Sequence, residues 1–157
     1  MARIRSRDTG PELAVRRAMH AAGLRYRLHR KGLPGRPDLV LPSRRTALFV
    51  HGCFWHRHAG CPRASTPGTR QEYWLPKLAR NVARDRENQA ALHAAGWTVL
   101  AAWECDVARP GYIAGLVEVV RALPQARPLR AMPQPQPVRD TCVTDASGGW
   151  LPGPGLL

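Results

Sequence analysis

Residues 49–61 read FVHGCFWHRHAGC and hold three histidines, two cysteines and the adjacent rings of Phe54 and Trp55. The apolar run 46–50, which leads into this stretch, predicts a buried strand. A loop that leaves a strand end sits on a rigid platform, where binding and catalytic residues are commonly placed. Thiolates and imidazoles suit zinc, and imidazoles also move protons near neutral pH. We therefore expect residues 49–61 to carry the chemistry of the protein.

The chain has 157 residues and a formal net charge of +13. This length predicts one domain with its own core. The basic residues are mainly arginines spread over the first 130 positions, which favours nucleic acid as a partner, although a GC-rich genome would also enrich arginine. The chain shows no membrane-spanning apolar run and no signal peptide, and its cysteines are spaced for a metal and not for disulfides. These features predict a cytoplasmic protein, which we expect to be a monomer.

The order of predicted elements indicates the fold class. Thr9 opens a helix-start signature with Glu12 at the capping-box position, and a helix is predicted over residues 11–22. Strands are predicted over 24–30, 38–41, 46–50 and 97–103, and further helices over 72–95 and 112–123. This pattern is typical of an α/β domain with a mixed central sheet flanked by helices. Residues 124–157 are rich in Pro, Gly and Gln, which predicts a flexible tail after a domain of residues 1–123.

Asp85 lies on the apolar side of the second predicted helix. That stripe is formed by Leu75, Leu78, Val82 and Leu92. A carboxylate on an inward face is costly without a partner, so Asp85 is a candidate for holding a buried histidine. Alternatively, the helix is rotated slightly and Asp85 pairs with Arg84 or Arg86.

Two segments, LPGRPDLV at 33–40 and VHGCFWH at 50–56, resemble the very short patch repair (Vsr) endonucleases. The similarity continues through RQEYW at 70–74, NVARDR at 81–86 and WEC at 103–105, and covers about residues 3–123. The resemblance implies a restriction-endonuclease-like core. It also implies an enzyme that nicks double-stranded DNA 5′ to the T of a T:G mismatch left by deamination of 5-methylcytosine. Mismatch-repair proteins are further expected partners. Two alternatives stay open: a mismatch-binding protein that does not cleave, and a restriction-type endonuclease with another target.

The resemblance also implies a catalytic set. Asp38 and the backbone carbonyl of Val50 would hold a catalytic Mg²⁺, which prefers oxygen ligands. His56 would take the proton of the attacking water, and Asp85 would orient His56. His51 is similar to a second active-site histidine near the scissile phosphate.

Glu12 has two interpretations. By resemblance it matches an acidic residue of the first helix that faces the active site. In a Thr-x-x-Glu helix start, however, a glutamate is commonly only a cap.

A structural Zn²⁺ site is expected from four residues: Cys53, His58, Cys61 and Cys105. The family loop usually has one residue fewer between the matching histidine and the second cysteine, which leaves open whether His58 or His56 is the ligand. The alternative for the cysteines is ordinary buried thiols.

Aromatic residues provide the expected DNA contact. Phe54, Trp55 and Trp74 resemble the family's aromatic wedge, which inserts between base pairs. Lys77 and Asn81 follow Trp74 on the same predicted helix and are expected to reach base edges or phosphate. Three arginines are candidates for phosphate contacts or are ordinary solvated surface charges: Arg70, Arg80 and Arg84. Core positions are expected for Trp97 and Trp103.

Overall fold

Four strands form one mixed sheet in the computed structural model, which describes residues 8–126. In sheet order, the strands are β1 (Arg27–Leu28), β2 (Leu39–Leu41), β3 (Thr46–His51) and β4 (Thr98–Trp103). β2 pairs antiparallel with both β1 and β3, whereas β3 and β4 are parallel. The β3–β4 register ends with His51 opposite Trp103, so the last residues of these two strands lie side by side.

Helices cover both faces of this sheet. They are α1 (Gly10–Ala21), α2 (Gln71–Ala94), α3 (Glu104–Val107) and α4 (Tyr112–Ala122), with 3₁₀ turns at Pro42–Arg44 and Pro62–Ala64. Parallel strands need a long crossover connection, and α2 is part of the connection between β3 and β4. Within residues 8–126, none of the helices combines the length and apolarity needed to cross a membrane.

Two hydrophobic cores lie on opposite faces of the sheet. The larger one packs α1, α3 and α4 on the sheet through Val15, Met19, Leu24, Leu39, Leu41, Leu48, Ala102, Val107, Leu116, Val117 and Val120. The smaller one joins the sheet to α2 through Ala47, Phe49 and Leu92. Because successive strand residues point to opposite faces, Ala47 and Phe49 share the α2 face with His51. The strand alternation therefore directs His51 towards the second helix.

The predicted mixed α/β fold is confirmed, with local corrections. The strand predicted over 24–30 contracts to Arg27–Leu28, because its edge pairing with β2 covers only two residues and Leu24 is instead buried in the larger core. Leu75 is 44% exposed, so its place on the apolar stripe of α2 was wrongly predicted, whereas Leu78 and Leu92 are buried. The short helix α3 was not predicted. The predicted tail lies outside the described residues beyond residue 126, and the domain boundary at residue 123 stays a prediction.

Candidate active site

A cavity of about 540 Å³ gathers the residues that the sequence predicts to be catalytic. These residues come from α1, from the residue before β2, from β3 and the loop after it, and from α2. They are Glu12, Asp38, Val50, His51, His56 and Asp85. The same cavity is lined by His29, Arg36, Arg84 and Asn88. His29, Arg36 and Asn88 were not predicted, although Arg36 belongs to the LPGRPDLV segment. Side chains that are distant in sequence thus meet where β3 ends.

His56 and Asp85 form a close pair in this cavity. The Nδ1 atom of His56 lies 2.5 Å from Oδ2 of Asp85, and their side chains are 23% and 18% exposed. Asp85 therefore pairs with a histidine, as one of the two predictions had it, and not with Arg84 or Arg86. A carboxylate at Nδ1 keeps a proton on that atom, so Nε2 is the nitrogen left to accept one. The pair has the geometry of a general base with its orienting carboxylate.

His51 is a buried imidazole stacked on His56. Its side chain is 6% exposed, and the ring centroids of His51 and His56 are 4.0 Å apart. Burial, together with the charge of His56, lowers the pKa of His51 to about 4, although Asp85 opposes the shift. His51 is consequently neutral near pH 7. Its Nε2 atom is buried without a hydrogen-bond partner among residues 8–126, so it can serve a bound group.

Asp38 directly precedes β2 and is held by β3. The backbone N–H of Val50 donates a hydrogen bond of 2.8 Å to Oδ2 of Asp38. Burial raises the pKa of Asp38 above its ordinary value, and the Val50 hydrogen bond opposes this shift. A desolvated carboxylate at an open cavity fits a hard cation such as Mg²⁺, which would restore the lost solvation and take further ligands from water. That Val50 contributes its carbonyl stays a prediction.

The buried charge of Asp38 has an expected effect on stability without added Mg²⁺. Because the pKa of Asp38 is raised in the folded protein, its contribution to stability is present below its ordinary pKa of 3.8 and is lost as the pH rises through the folded value. As the pH rises from about 4 to 7, the thermal midpoint of the wild type should therefore decrease relative to that of Asp38→Asn. Equal pH profiles for the two proteins would contradict the prediction.

Glu12 is both a cap and a cavity residue. It is 4% exposed, and it accepts hydrogen bonds from the Thr9 hydroxyl at 3.0 Å and from Arg16 at 2.9 Å. Arg16 also lies 3.2 Å from Nε2 of His29, and since arginine only donates, His29 accepts there and carries its proton on Nδ1. A metal ion could also be held by three residues whose ligand atoms lie close together, Asp8, Glu12 and His29. However, the guanidinium of Arg16 already forms ion pairs with the carboxylates of Asp8 and Glu12.

Four predicted zinc ligands form a second site. The ligand atoms of Cys53, His58, Cys61 and Cys105 all lie within 4.8 Å of one another. Nδ1 of His58 is 3.3 Å from Sγ of Cys105 and 3.7 Å from Sγ of Cys53, close to the separation of about 3.5 Å expected between nitrogen and sulfur in a tetrahedral zinc site. Burial raises the pKa of Cys53 to about 12, so a cation is needed to make it a thiolate.

Two residues, Ala59 and Gly60, separate His58 from Cys61, one more than the family loop usually has. Gly60 has a φ of 70°, a left-handed conformation that glycine adopts without strain. Cys61 donates its N–H to the carbonyl of His58 at 3.3 Å, which closes the turn. The structure thus places His58 against the cysteines and His56 against Asp85. The sequence did not decide which of these two histidines is the zinc ligand, and in the structure only His58 contacts the cysteines.

An aromatic cluster, made of Phe54, Trp55, Tyr73 and Trp74, brings together the loop after β3 and the start of α2. Ring centroids lie 5.1 Å apart for Phe54 and Trp55, 5.8 Å for Phe54 and Trp74, and 5.9 Å for Trp55 and Trp74. Tyr73, which the sequence analysis did not single out, packs edge-on against Trp74 at 5.2 Å and is 47% exposed. The sequence could have indicated Tyr73 as a member of this cluster, because it is the direct neighbour of Trp74.

Lys77 and Asn81 support this aromatic cluster from α2. The ammonium of Lys77 lies 5.2–5.8 Å from the ring centroids of Tyr73, Trp74 and Trp55, within cation–π range. The side-chain amide of Asn81 donates to the carbonyl of Trp55 at 3.3 Å, and its oxygen accepts from Arg84 at 3.0 Å. Both predicted DNA contacts are therefore engaged within the protein, and direct contact with DNA stays a prediction.

Known proteins match a large part of this chain. The family model described as DNA mismatch endonuclease Vsr matches residues 1–63. The type II nicking enzyme V.XorIIP of Xanthomonas oryzae pv. oryzae is 53% identical over 111 residues, which cover 71% of this chain and 81% of that protein. The DNA mismatch endonuclease Vsr of Escherichia coli (strain K12) is 44% identical over 105 residues, covering 67% of each chain.

A third relative extends the same pattern to another genus. The type II nicking enzyme V.NmeAIP of Neisseria meningitidis serogroup A is 38% identical over 107 residues, covering 68% of this chain and 76% of that protein. Identity of this extent over most of a relative's length is shared only by proteins with a common fold and ancestry. The chain is therefore a DNA endonuclease and belongs to the Vsr family of DNA mismatch endonucleases.

Proposed function

We propose that this endonuclease nicks double-stranded DNA 5′ to the T of a T:G mismatch, in a Mg²⁺-dependent hydrolysis that begins very short patch repair. The single observation that carries the proposal is the cavity in which the His56–Asp85 pair and the carboxylate of Asp38 meet. The similarity to the mismatch endonuclease of E. coli supports the choice of substrate. We further propose a restriction-endonuclease-like core, a cytoplasmic location and a monomeric state.

In the proposed reaction, His56 is the general base. Its Nε2 takes a proton from the attacking water while Asp85 stabilises the resulting imidazolium. Asp38 and the carbonyl of Val50 would hold Mg²⁺, which supplies Lewis-acid stabilisation of charge on the phosphate. The neutral ring of His51 offers its unpaired Nε2 to the same phosphate. Cleavage of the bond to the 3′ oxygen leaves a 5′-phosphate and a 3′-hydroxyl.

Zn²⁺ is proposed as the structural metal of the second site. Three cysteines and one histidine whose ligand atoms lie within 4.8 Å of one another match a closed Cys₃His site. Such a site would fix the loop after β3 to the residues that follow β4, because Cys105 lies in α3. The metal would thereby hold the loop that presents Phe54, Trp55 and His56.

The aromatic cluster is proposed to enter the duplex at the mismatch. Rings inserted between base pairs unstack them at a cost of about a few kcal/mol, and a mismatched pair is cheaper to open than a matched one. The net charge of +13 favours binding to the phosphate backbone, which adds affinity without sequence preference. The cluster therefore provides selectivity for a mismatch, and the charge provides most of the affinity.

Asn81→Ala is expected to weaken binding to a T:G duplex by about two- to tenfold, the loss of roughly one hydrogen bond. The reason is that the amide of Asn81 holds the carbonyl of Trp55 and thereby fixes the ring that enters the duplex. Fluorescence anisotropy with a labelled duplex measures the change. Gln89→Ala removes an uncharged, partly exposed amide from the same helix and is the matched control, and equal losses for both variants would refute a specific role for Asn81.

A nicking assay tests the proposed function. The protein is incubated with Mg²⁺ and a duplex that carries one T:G mismatch, with each strand labelled in turn and a fully matched duplex as control. We expect one cut, in the T strand and 5′ to the T, and no cut in the matched duplex or with Asp38→Ala. Binding of the mismatch without nicking by the wild type would favour the non-cleaving alternative. Cutting of the matched duplex would favour a restriction-type endonuclease.

A further inference from the structure

Trp103, the last residue of β4, touches histidines of both sites. Its indole stacks on the imidazole of His58, with ring centroids 4.2 Å apart and ring planes 5° apart. The same indole lies 5.3 Å from the ring of His51, its register partner on β3, at an angle of 49°. His51 in turn stacks on His56 at 4.0 Å. A continuous series of four rings therefore runs from the cysteine cluster to the His56–Asp85 pair.

Core packing alone does not account for this arrangement. Trp103 is partly exposed, and it is absent from both groups of packed hydrophobic residues found among residues 8–126. Trp97, which directly precedes β4, does pack against the smaller core, as the sequence predicts. Trp97 and Trp103 thus have different surroundings, and of the two only Trp103 packs against imidazoles.

The contacts of His56 explain why its neighbour's position matters. The carboxylate of Asp85 fixes one atom of the ring, Nδ1, but a single hydrogen bond leaves the ring free to tilt about it. The stacked face of His51 limits that tilt. His51 is itself held between Phe49, at 5.5 Å, and Trp103. Removing the indole would open space into which His51 could turn, and the plane of His56 would then be less defined.

We propose that Trp103 is a positioning residue for the nicking reaction, whose indole transmits the placement of His58 in the cysteine cluster to His51 and, through it, to His56. This inference rests on the proposed role of His56 as general base. Trp103 needs no contact with DNA or with the reacting atoms for this role. Its effect should therefore fall on the rate of the chemical step and not on substrate affinity.

Three variants separate a positioning role from a purely structural one. Trp103→Leu keeps an apolar side chain but removes the flat ring, and Trp103→Phe restores a ring. Trp97→Leu, just before the start of β4, is the matched control. For each protein we would measure bound zinc per chain, affinity for a T:G duplex without Mg²⁺, and the single-turnover nicking rate with enzyme in excess.

For Trp103→Leu we expect a nicking rate reduced by about ten- to a hundredfold, as for a small misplacement of a catalytic group, with zinc content and affinity within about twofold of wild type. Trp103→Phe should recover the rate to within about threefold of wild type, and Trp97→Leu should leave it unchanged. A wild-type rate for Trp103→Leu would overturn the inference.

If Trp103→Leu lost zinc, we would test Trp103→Met, because the unbranched methionine side chain adapts more easily to the space left by the indole. Loss of zinc from that variant as well would make Trp103 a structural part of the metal site and would also overturn the inference. If the wild type itself does not nick T:G DNA, the proposed function fails first, so the two failures are distinguishable.

Discussion

Replacing Asp38 by asparagine should reduce nicking of a T:G duplex by about a thousandfold or more, since a metal held by one carboxylate supplies several kcal/mol of charge stabilisation and each 1.36 kcal/mol is tenfold in rate. Asparagine has nearly the same shape, and its oxygen can still accept the N–H of Val50 that now binds Oδ2. The substitution therefore removes the charge and little else. Single-turnover rates at saturating Mg²⁺ measure the loss.

Stability provides the control for this variant. Burial raises the pKa of Asp38, so the ionised carboxylate opposes folding at neutral pH when no cation is bound. Asp38→Asn should then be at least as stable as the wild type without Mg²⁺, and it should bind the mismatched duplex normally. If the variant were inactive and also unfolded, the loss of nicking would be explained by unfolding and not by loss of the metal. If the variant still nicked DNA, Asp38 would not be required for the reaction.

Replacing His56 by glutamine should slow nicking by about 10²- to 10⁴-fold, the usual contribution of a positioned general base. Asp85→Asn should cause a loss of similar size, because an amide facing Nδ1 no longer fixes the tautomer in which Nε2 accepts a proton. The two residues act as one unit, so the double variant should be at most about threefold slower than the His56 variant alone. Additive losses would show that Asp85 acts elsewhere.

A matched histidine on the same helix as Asp85 controls for general effects. His93 is exposed in the last turn of α2, and His93→Gln should nick at the wild-type rate. Affinity for the uncut mismatched duplex should stay within about twofold of wild type in each of these histidine and Asp85 variants, because none of the replaced side chains belongs to the aromatic cluster or is a lysine or arginine. A large loss of affinity in His56→Gln would mean that His56 binds DNA and does not only act on it.

Periodicity could predict that Asp85 faces inward because a helical position defines a direction, but it left a histidine or an arginine open as the partner, and only the family resemblance implied His56. Asp85 follows Val82 by three residues on an inward stripe, and the structure brings it to His56. The same pattern failed for Leu75, since the first turns of α2 carry the aromatic cluster and only the later part of the helix packs on the sheet through Leu92. Apolar spacing does not distinguish a face that packs on a sheet from one that forms a surface cluster.

Contacts between distant segments could not be predicted in this way. The indole of Trp103 meets His58 because of the path of the loop after β3 and the parallel register of β3 and β4, neither of which is local. Arg16 lies at the favourable i+4 spacing from Glu12, but its contact with His29 joins residues 13 apart in the chain. The backbone of His29 has a φ of 43°, which is uncommon for a residue other than glycine. The family resemblance implied six residues of the cavity, but neither it nor the sequence patterns predicted these contacts.

The separation of the fourth thiolate from its partners has a consequence for how the chain folds. Cys53, His58 and Cys61 belong to one short loop, whereas Cys105 lies 47 residues beyond His58 and reaches it only when β4 has docked beside β3. With zinc bound as proposed, a nascent or denatured chain can capture the ion with its three local ligands at little entropic cost. Refolding should then complete the coordination sphere last, at the step that forms the parallel strand pair, which is intrinsically slow because it is non-local.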